Sequence, residues 1–185
     1  MGNYDAIIIG ATIVIDQTTL FTYLAILLGF VFLPGPAVIL TLARATSSGT
    51  RVGLATGLGI AVGDIIHTAM AVIGLSAILL TSAFAFSLVK YLGAAYLVYL
   101  GIRAIMEKTD AASVAAAPKL TGVRAFRQAV LAEVLNPKSA MFFLAFLPQF
   151  VRPENGAAAL QLAILGLLFV AMGLLSTVVV ALFSG

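Results

Sequence analysis

The chain has 185 residues, of which 62% are hydrophobic and 9% charged, with a net charge of +3 and a mean hydropathy of +1.17. A soluble domain runs at roughly 45–50% apolar and about 25% charged, so a globule of this size could not hide so much apolar surface, and lipid is the expected solvent. The absence of Cys excludes a disulfide scaffold, thiol redox chemistry and Cys-ligated metals, and the sparse basic residues exclude nucleic acid as a partner.

Residues 1–19 form an N-terminal tail. Within it Ala6–Ile15 is apolar but too short to span a bilayer, and no Lys or Arg precedes it as in a secretory signal. It reads as an interfacial tail or as sequence upstream of the true start, the second being favoured. Residues 20–185 then read as one transmembrane domain. No charge falls between Asp16 and Arg44, which places a first span near Leu20–Leu42. Between Arg51 and Lys90 the only charge is Asp64, and the length calls for two spans, near Leu54–Leu80 and Phe84–Ile105. Lys90 and Arg103 lie toward the ends of the third span and can snorkel to the interfaces. The polar segment Glu107–Thr121 reads as an exposed loop. A fourth span follows near Phe126–Phe150 and a fifth near Ala158–Phe183. The fold class is therefore all-α, a polytopic membrane protein with five predicted transmembrane helices.

Arg44, Arg51, Arg103, Lys108, Lys119, Arg124 and Arg127 fall on one side of this arrangement, against Lys90 and Arg152 on the other. The excess of Lys and Arg marks the cytoplasmic side, so the N-terminus is expected outside and the C-terminus inside.

Two spans carry breaks. Pro34-Gly35-Pro36 interrupts the first and Asn136-Pro137-Lys138 the fourth. Proline removes a backbone donor, and the carbonyls it frees need partners in hydrocarbon, so such a break sits inside a bundle or beside a wet cavity. Broken helices of this kind form substrate and ion sites near the midplane of secondary transporters. The odd number of spans between the breaks would invert the second relative to the first, as in an inverted repeat. The competing view is that each proline merely kinks a packed helix.

Asp64 falls near the middle of the second span, where an acid costs on the order of 2.5–3.5 kcal/mol and is expected to face the bundle interior. His67 and Thr68 share its face. An Asp–His pair can relay a proton, or can simply hold helices together. Lys138 is the matching cation, suited to a substrate carboxylate or to pairing with Asp64, and Glu133 is a further candidate. Gly53, Gly57, Gly59 and Gly63 form a double small-residue pattern for close helix packing, within one chain or between two copies. The aromatic positions, Tyr96, Tyr99 and Phe143 among them, read as lipid-facing or core residues rather than a ligand cage.

With these residues in view, the chain resembles the lysine exporter (LysE/RhtB) family of bacterial amino-acid exporters. Leu33-Pro34-Gly35-Pro36-Ala37 carries the resemblance in the first span and Gly57 through Gly63-Asp64 in the second. The run from Leu92-Gly93 to Gly101-Ile102 carries it in the third. In the fourth it is Leu135-Asn136-Pro137-Lys138, continuing to Phe146-Leu147-Pro148-Gln149-Phe150. The resemblance implies amino-acid efflux across the bacterial inner membrane, driven by the proton motive force, with no cofactor and no metal. It also implies that Pro34, Gly35, Pro36, Asp64, Asn136, Pro137 and Lys138 surround the substrate path; His67 and Glu133 stay candidates from their position alone. Family members usually have six spans in a 3+3 inverted repeat, and the expectation here is that fold lacking its last helix.

Other readings are a passive channel or inorganic-ion transporter of similar architecture, and an inactive truncated family member. A cation pore would want several carboxylates or a ring of carbonyls, whereas a lysine lies among the candidates here. An enzyme is disfavoured, because the single His67 has no nucleophile beside it and too few metal ligands.

Overall fold

The structure is a computed structural model and describes residues 7–9, 12–32, 35–106 and 119–185. Its elements in chain order are strands β1 (Ile7–Ile9) and β2 (Thr12–Ile15), then helices α1 (Gln17–Phe32), α2 (Pro36–Ser48), α3 (Thr50–Thr81) and α4 (Ala83–Met106). Helices α5 (Gly122–Val134), α6 (Pro137–Phe146) and α7 (Ala158–Ser184) follow, with short 3-10 turns at Leu147–Phe150 and Pro153–Asn155 between the last two.

Among the described residues three helices are long and apolar enough to cross a membrane, α3, α4 and α7. They coincide with the second, third and fifth expected spans, because an uncharged run of helix-forming residues leaves the backbone no other way to satisfy itself in lipid. The fourth expected span is a bent pair, α5 and Pro137–Phe150, meeting at 57°. The first is divided between α1, whose apolar stretch Gln17–Gly29 is short, and α2. Among the described residues the count is three spans, or four when the bent α5 pair is taken as one, against the five expected.

The bend at α5–α6 has a local cause. Pro137 has no N–H to give the Glu133 carbonyl one turn back, so α5 closes with Asn136 N–H on that carbonyl at 3.1 Å. Asn136 then turns extended, and its Oδ1 accepts from Lys138 N at 3.0 Å, capping α6 with Pro137 in its first turn. At the other break Gly35 is the extended N-cap of α2 and Pro36 begins the helix. Pro34 lies outside the described residues.

Helix α3 is the spine. Its N-terminal half packs on α2 and α5, and its whole length on α7, which runs antiparallel to it: Gly53 faces Ala181, Gly57 faces Thr177 and Thr68 faces Gly166. Small residues at these positions let the backbones approach closely, so the glycine pattern packs helices within this chain. One pair of glycines, Gly53 and Gly57, serves α2 and α7. The other, Gly59 and Gly63, receives Phe126, Ala129 and Glu133 of α5.

The apolar core gathers around α7, α6 and α1. Tyr23 is fully buried between Phe146 and Phe150, with ring centroids 5.4 and 4.9 Å away, and its hydroxyl donates to the Leu165 carbonyl at 2.6 Å. Residues Val14 and Ile15 of the hairpin reach the same core. Asp16 starts α1: its Oδ1 accepts from Thr19 N–H at 2.9 Å and its Oδ2 from the Thr19 hydroxyl at 2.7 Å. Partial burial pushes this carboxyl up, but the Thr19 bonds and the Arg152 charge outweigh it and hold it below the usual carboxylate range. The cap is therefore intact above about pH 4 and is lost as pH falls through the lowered pKa. Asp16→Ala is expected to cost about 1 kcal/mol at neutral pH, and thermal melts of the two proteins should converge in acid.

Candidate functional site

Halfway along α3, Asp64 and His67 are only 6% and 1% exposed, and Thr68 is buried beside them. Glu133, at the end of α5, packs against Gly63, and its carboxylate and that of Asp64 act on each other electrostatically. The third wall is α7, where the Cα hydrogen side of Gly173 faces the Asp64 carboxylate: a methyl group there would lie 3.8 Å from Oδ2. The Thr68 hydroxyl donates to the Asp64 backbone carbonyl at 2.8 Å and leaves the carboxylate alone. Among the described residues no hydrogen bond or ion pair reaches the Asp64 side chain.

His67 does not pair with Asp64. Its Nε2 lies 2.8 Å from the Glu133 carbonyl oxygen, the same carbonyl that Pro137 leaves without its helical donor. A carbonyl only accepts, so Nε2 carries a proton and donates it to this bond. Nδ1 is buried with no partner, while the ring stacks on Phe143 at 5.7 Å. The histidine of the spine thus holds the broken end of α5, and the break and the buried carboxylate form one centre.

Lys138 lies elsewhere. It is exposed, on the first turn of α6, and lines a cleft of about 250 Å³ with Tyr96, Tyr99, Leu100 and Arg103 of α4 and with Pro137 and Met141. The cleft exists because α6 packs antiparallel on α4: Gly93 accepts the Ala145 backbone, and Gln149 Nε2 donates to the Lys90 carbonyl at 2.7 Å. Of the expected site residues, the structure brings together Asp64, His67, Glu133, Asn136 and Pro137, and sets Lys138 in the neighbouring cleft. Gly35 and Pro36 stand at the head of α2. Sequence reasoning missed Gly166 and Gly173 as the α7 face of the centre, and Tyr96, Tyr99 and Arg103 as companions of Lys138. The small residues of α7 were a readable signal for the first, but nothing in the sequence paired α4 with α6.

Broken helices around a buried carboxylate, within a bundle of long apolar helices, define a multi-pass membrane protein of transporter type. The chain matches the LysE type translocator family over residues 27–185. It is 35% identical over 133 residues to an uncharacterized membrane protein of Vibrio cholerae, covering 72% of this chain and 65% of that protein. It is 33% identical over 156 residues to the uncharacterized membrane protein YrhP of Bacillus subtilis, covering 80% and 74%. It is 30% identical over 146 residues to the leucine efflux protein of Salmonella typhimurium, covering 77% and 69%. The chain thus spans just under two thirds of the Vibrio protein's length. No solved structure matches it. The chain belongs to the LysE type translocator family.

Proposed function

We propose that this protein exports amino acids across the bacterial inner membrane, with the proton motive force as its driving force. Family membership and the leucine efflux relative support export of an amino acid. The observation that carries proton coupling is Asp64, a carboxylate buried halfway along the longest helix with no ion-pair partner among the described residues. An unpaired acid at membrane depth is most economically explained by a cycle in which it gains and loses a proton.

In this mechanism the protonated Asp64 and the emptied site return together to the cytoplasmic side. Release of the proton there leaves a carboxylate that attracts the substrate ammonium group, with Glu133 as the neighbouring acid. The two breaks, at Gly35–Pro36 and Asn136–Pro137, let the half-helices rock about α3 and α7, and the glycine contacts of α3 provide the sliding surface. The Lys and Arg distribution orients the N-terminus outside and the C-terminus in the cytoplasm.

The test is efflux from cells loaded with amino acids by dipeptide feeding. Expression of the chain should lower the internal pool and raise the external pool of one or a few amino acids, and an uncoupler should stop it. Efflux that ignores the uncoupler would favour a passive channel.

A further inference from the structure

His67 touches both halves of the broken fourth span. Its Nε2–H bond ends on the Glu133 carbonyl, in the last turn of α5, and its ring stacks on Phe143 of α6 at 5.7 Å. The two helices that meet at 57° thus share one side chain of the spine. The Glu133 carbonyl has two donors, Asn136 N–H at 3.1 Å and His67 at 2.8 Å, and only the second comes from another helix. The other ring nitrogen, Nδ1, is buried with no partner among the described residues, in a side chain only 1% exposed. An unpaired polar atom at such depth is costly to keep and calls for a use. With Nε2–H committed to the carbonyl, Nδ1 is the one ring position that can gain or lose a proton without breaking that bond. The ionisable groups around the ring are few. Asp64 lies three residues before it on the same face of α3, and Glu133 comes from α5, against Gly63. Helix α7 carries no ionisable residue. Lys138 of α6 is exposed in the cleft toward α4, which Arg103 also lines, and Lys90 of α4 lies beside Gln149. The neighbours of the ring that ionise are therefore two acids, which suit a cation between them.

We propose that His67 is the positioning residue that couples proton movement to the bend in the fourth span. When Nδ1 takes a proton, the ring becomes an imidazolium and its bond to the Glu133 carbonyl becomes charge-assisted, roughly twice as strong, so the end of α5 is held to the spine. When Nδ1 gives the proton up, the bond is an ordinary neutral one and α5 can swing at Asn136–Pro137 about the Phe143 stack. The inference rests on the export reading and deepens it, by naming the side chain through which the proton acts on the broken helix.

The chain has one His and no Cys, so both ends of this coupling can be read without background. The full chain carrying nitrogen-15 histidine, in phosphatidylcholine bilayers, is followed by solid-state NMR from about pH 9 to about pH 5, on either side of the ordinary histidine range. The ring should pass from the neutral form protonated on Nε2 alone to the imidazolium. Spin labels at Val123→Cys and Leu144→Cys, exposed on α5 and α6, should report a distance that shifts with the same midpoint. His67→Gln keeps an amide donor for the carbonyl but cannot ionise. It should retain the thermal midpoint and hold the alkaline label distance at every pH. Uptake of labelled leucine by everted membrane vesicles is measured with the same proton gradient imposed at each pH. His67→Gln should leave KM unchanged, flatten the pH profile and lower kcat roughly five- to tenfold, the factor that separates a charged from a neutral hydrogen bond. The wild-type NMR and label readings need no substitution at His67, so a poorly folded variant leaves the test intact. A ring that keeps one protonation state across the range, or a label distance that does not follow it, overturns the proposal. So does a pH response, of distance or of kcat, that His67→Gln retains, since it would belong to Asp64 or Glu133. Both spectroscopic signals without leucine transport uphold the coupling and count against the export reading. Transport without those signals leaves export standing and overturns the coupling.

Discussion

Asp64→Asn should reduce export to the level of cells lacking the protein while leaving the amount of protein in the membrane unchanged. Asn matches the carboxylate in shape but cannot take up a proton at any working pH, so it removes the proposed coupling step and little else. The substitution also separates function from structure through its effect on stability. An acid at the centre of a span costs on the order of 2.5–3.5 kcal/mol on insertion, and no partner among the described residues offsets that for Asp64. Removing the charge should therefore raise, or at least preserve, the thermal midpoint in detergent, as happens when a strained functional site is relieved. Inactivity together with undiminished stability identifies a working group. Loss of both in parallel would mean that Asp64 only braces helices, and unchanged export would sink its assigned role.

The second large effect is expected at Gly59. A methyl group there would lie 2.5 Å from the Phe126 carbonyl oxygen and 2.8 Å from the Ala129 side chain. The obstructing oxygen belongs to the backbone of α5 and cannot rotate away, so Gly59→Ala has to push α5 off the spine. Overpacking of this kind costs typically 1–3 kcal/mol, which outweighs the roughly 1 kcal/mol that alanine gains over glycine in a helix. Gly74→Ala is the matched control, since nothing lies within 4 Å of the added methyl. It should leave the thermal midpoint unchanged or raise it, while Gly59→Ala lowers it. Because Glu133 rides at the end of α5, the same displacement should also weaken export in the fraction that remains folded. Equal midpoints for the two variants would show that α5 has room to move.

Helices α3, α4 and α7 were legible in the sequence because hydrocarbon imposes a single backbone solution on a long uncharged run. The break at Asn136–Pro137 was legible for the same reason that it forms: Pro137 cannot donate, and Asn136 can cap. The site was read less completely. The position of Asp64 was clear from its isolation among apolar residues, but the partner of His67 was not. Spacing on one helix suggested Asp64, whereas the bond goes to a carbonyl on α5 that lacks its usual helical donor because Pro137 follows it and that His67 shares with Asn136 N–H. Lys138 was placed opposite Asp64 on charge alone. The 57° bend carries it to α4 instead, and such a direction depends on how helices dock rather than on any local pattern. The first span shows the same limit. Its prolines announced a break, yet nothing local announced that both halves would lie along α7.

That last arrangement bears on how the protein is made. The Tyr23 hydroxyl meets the Leu165 carbonyl across 142 positions of sequence, and α2 also packs on α7. At a synthesis rate of roughly 5–20 residues per second, the first half-helices wait about 7–28 s for the partner that holds them. During that interval α1 and α2, each too short to span alone, have only α3 and the insertion machinery to shelter their broken ends. Closure of this part of the bundle is thus deferred until α7 has been made, long after the half-helices that it holds.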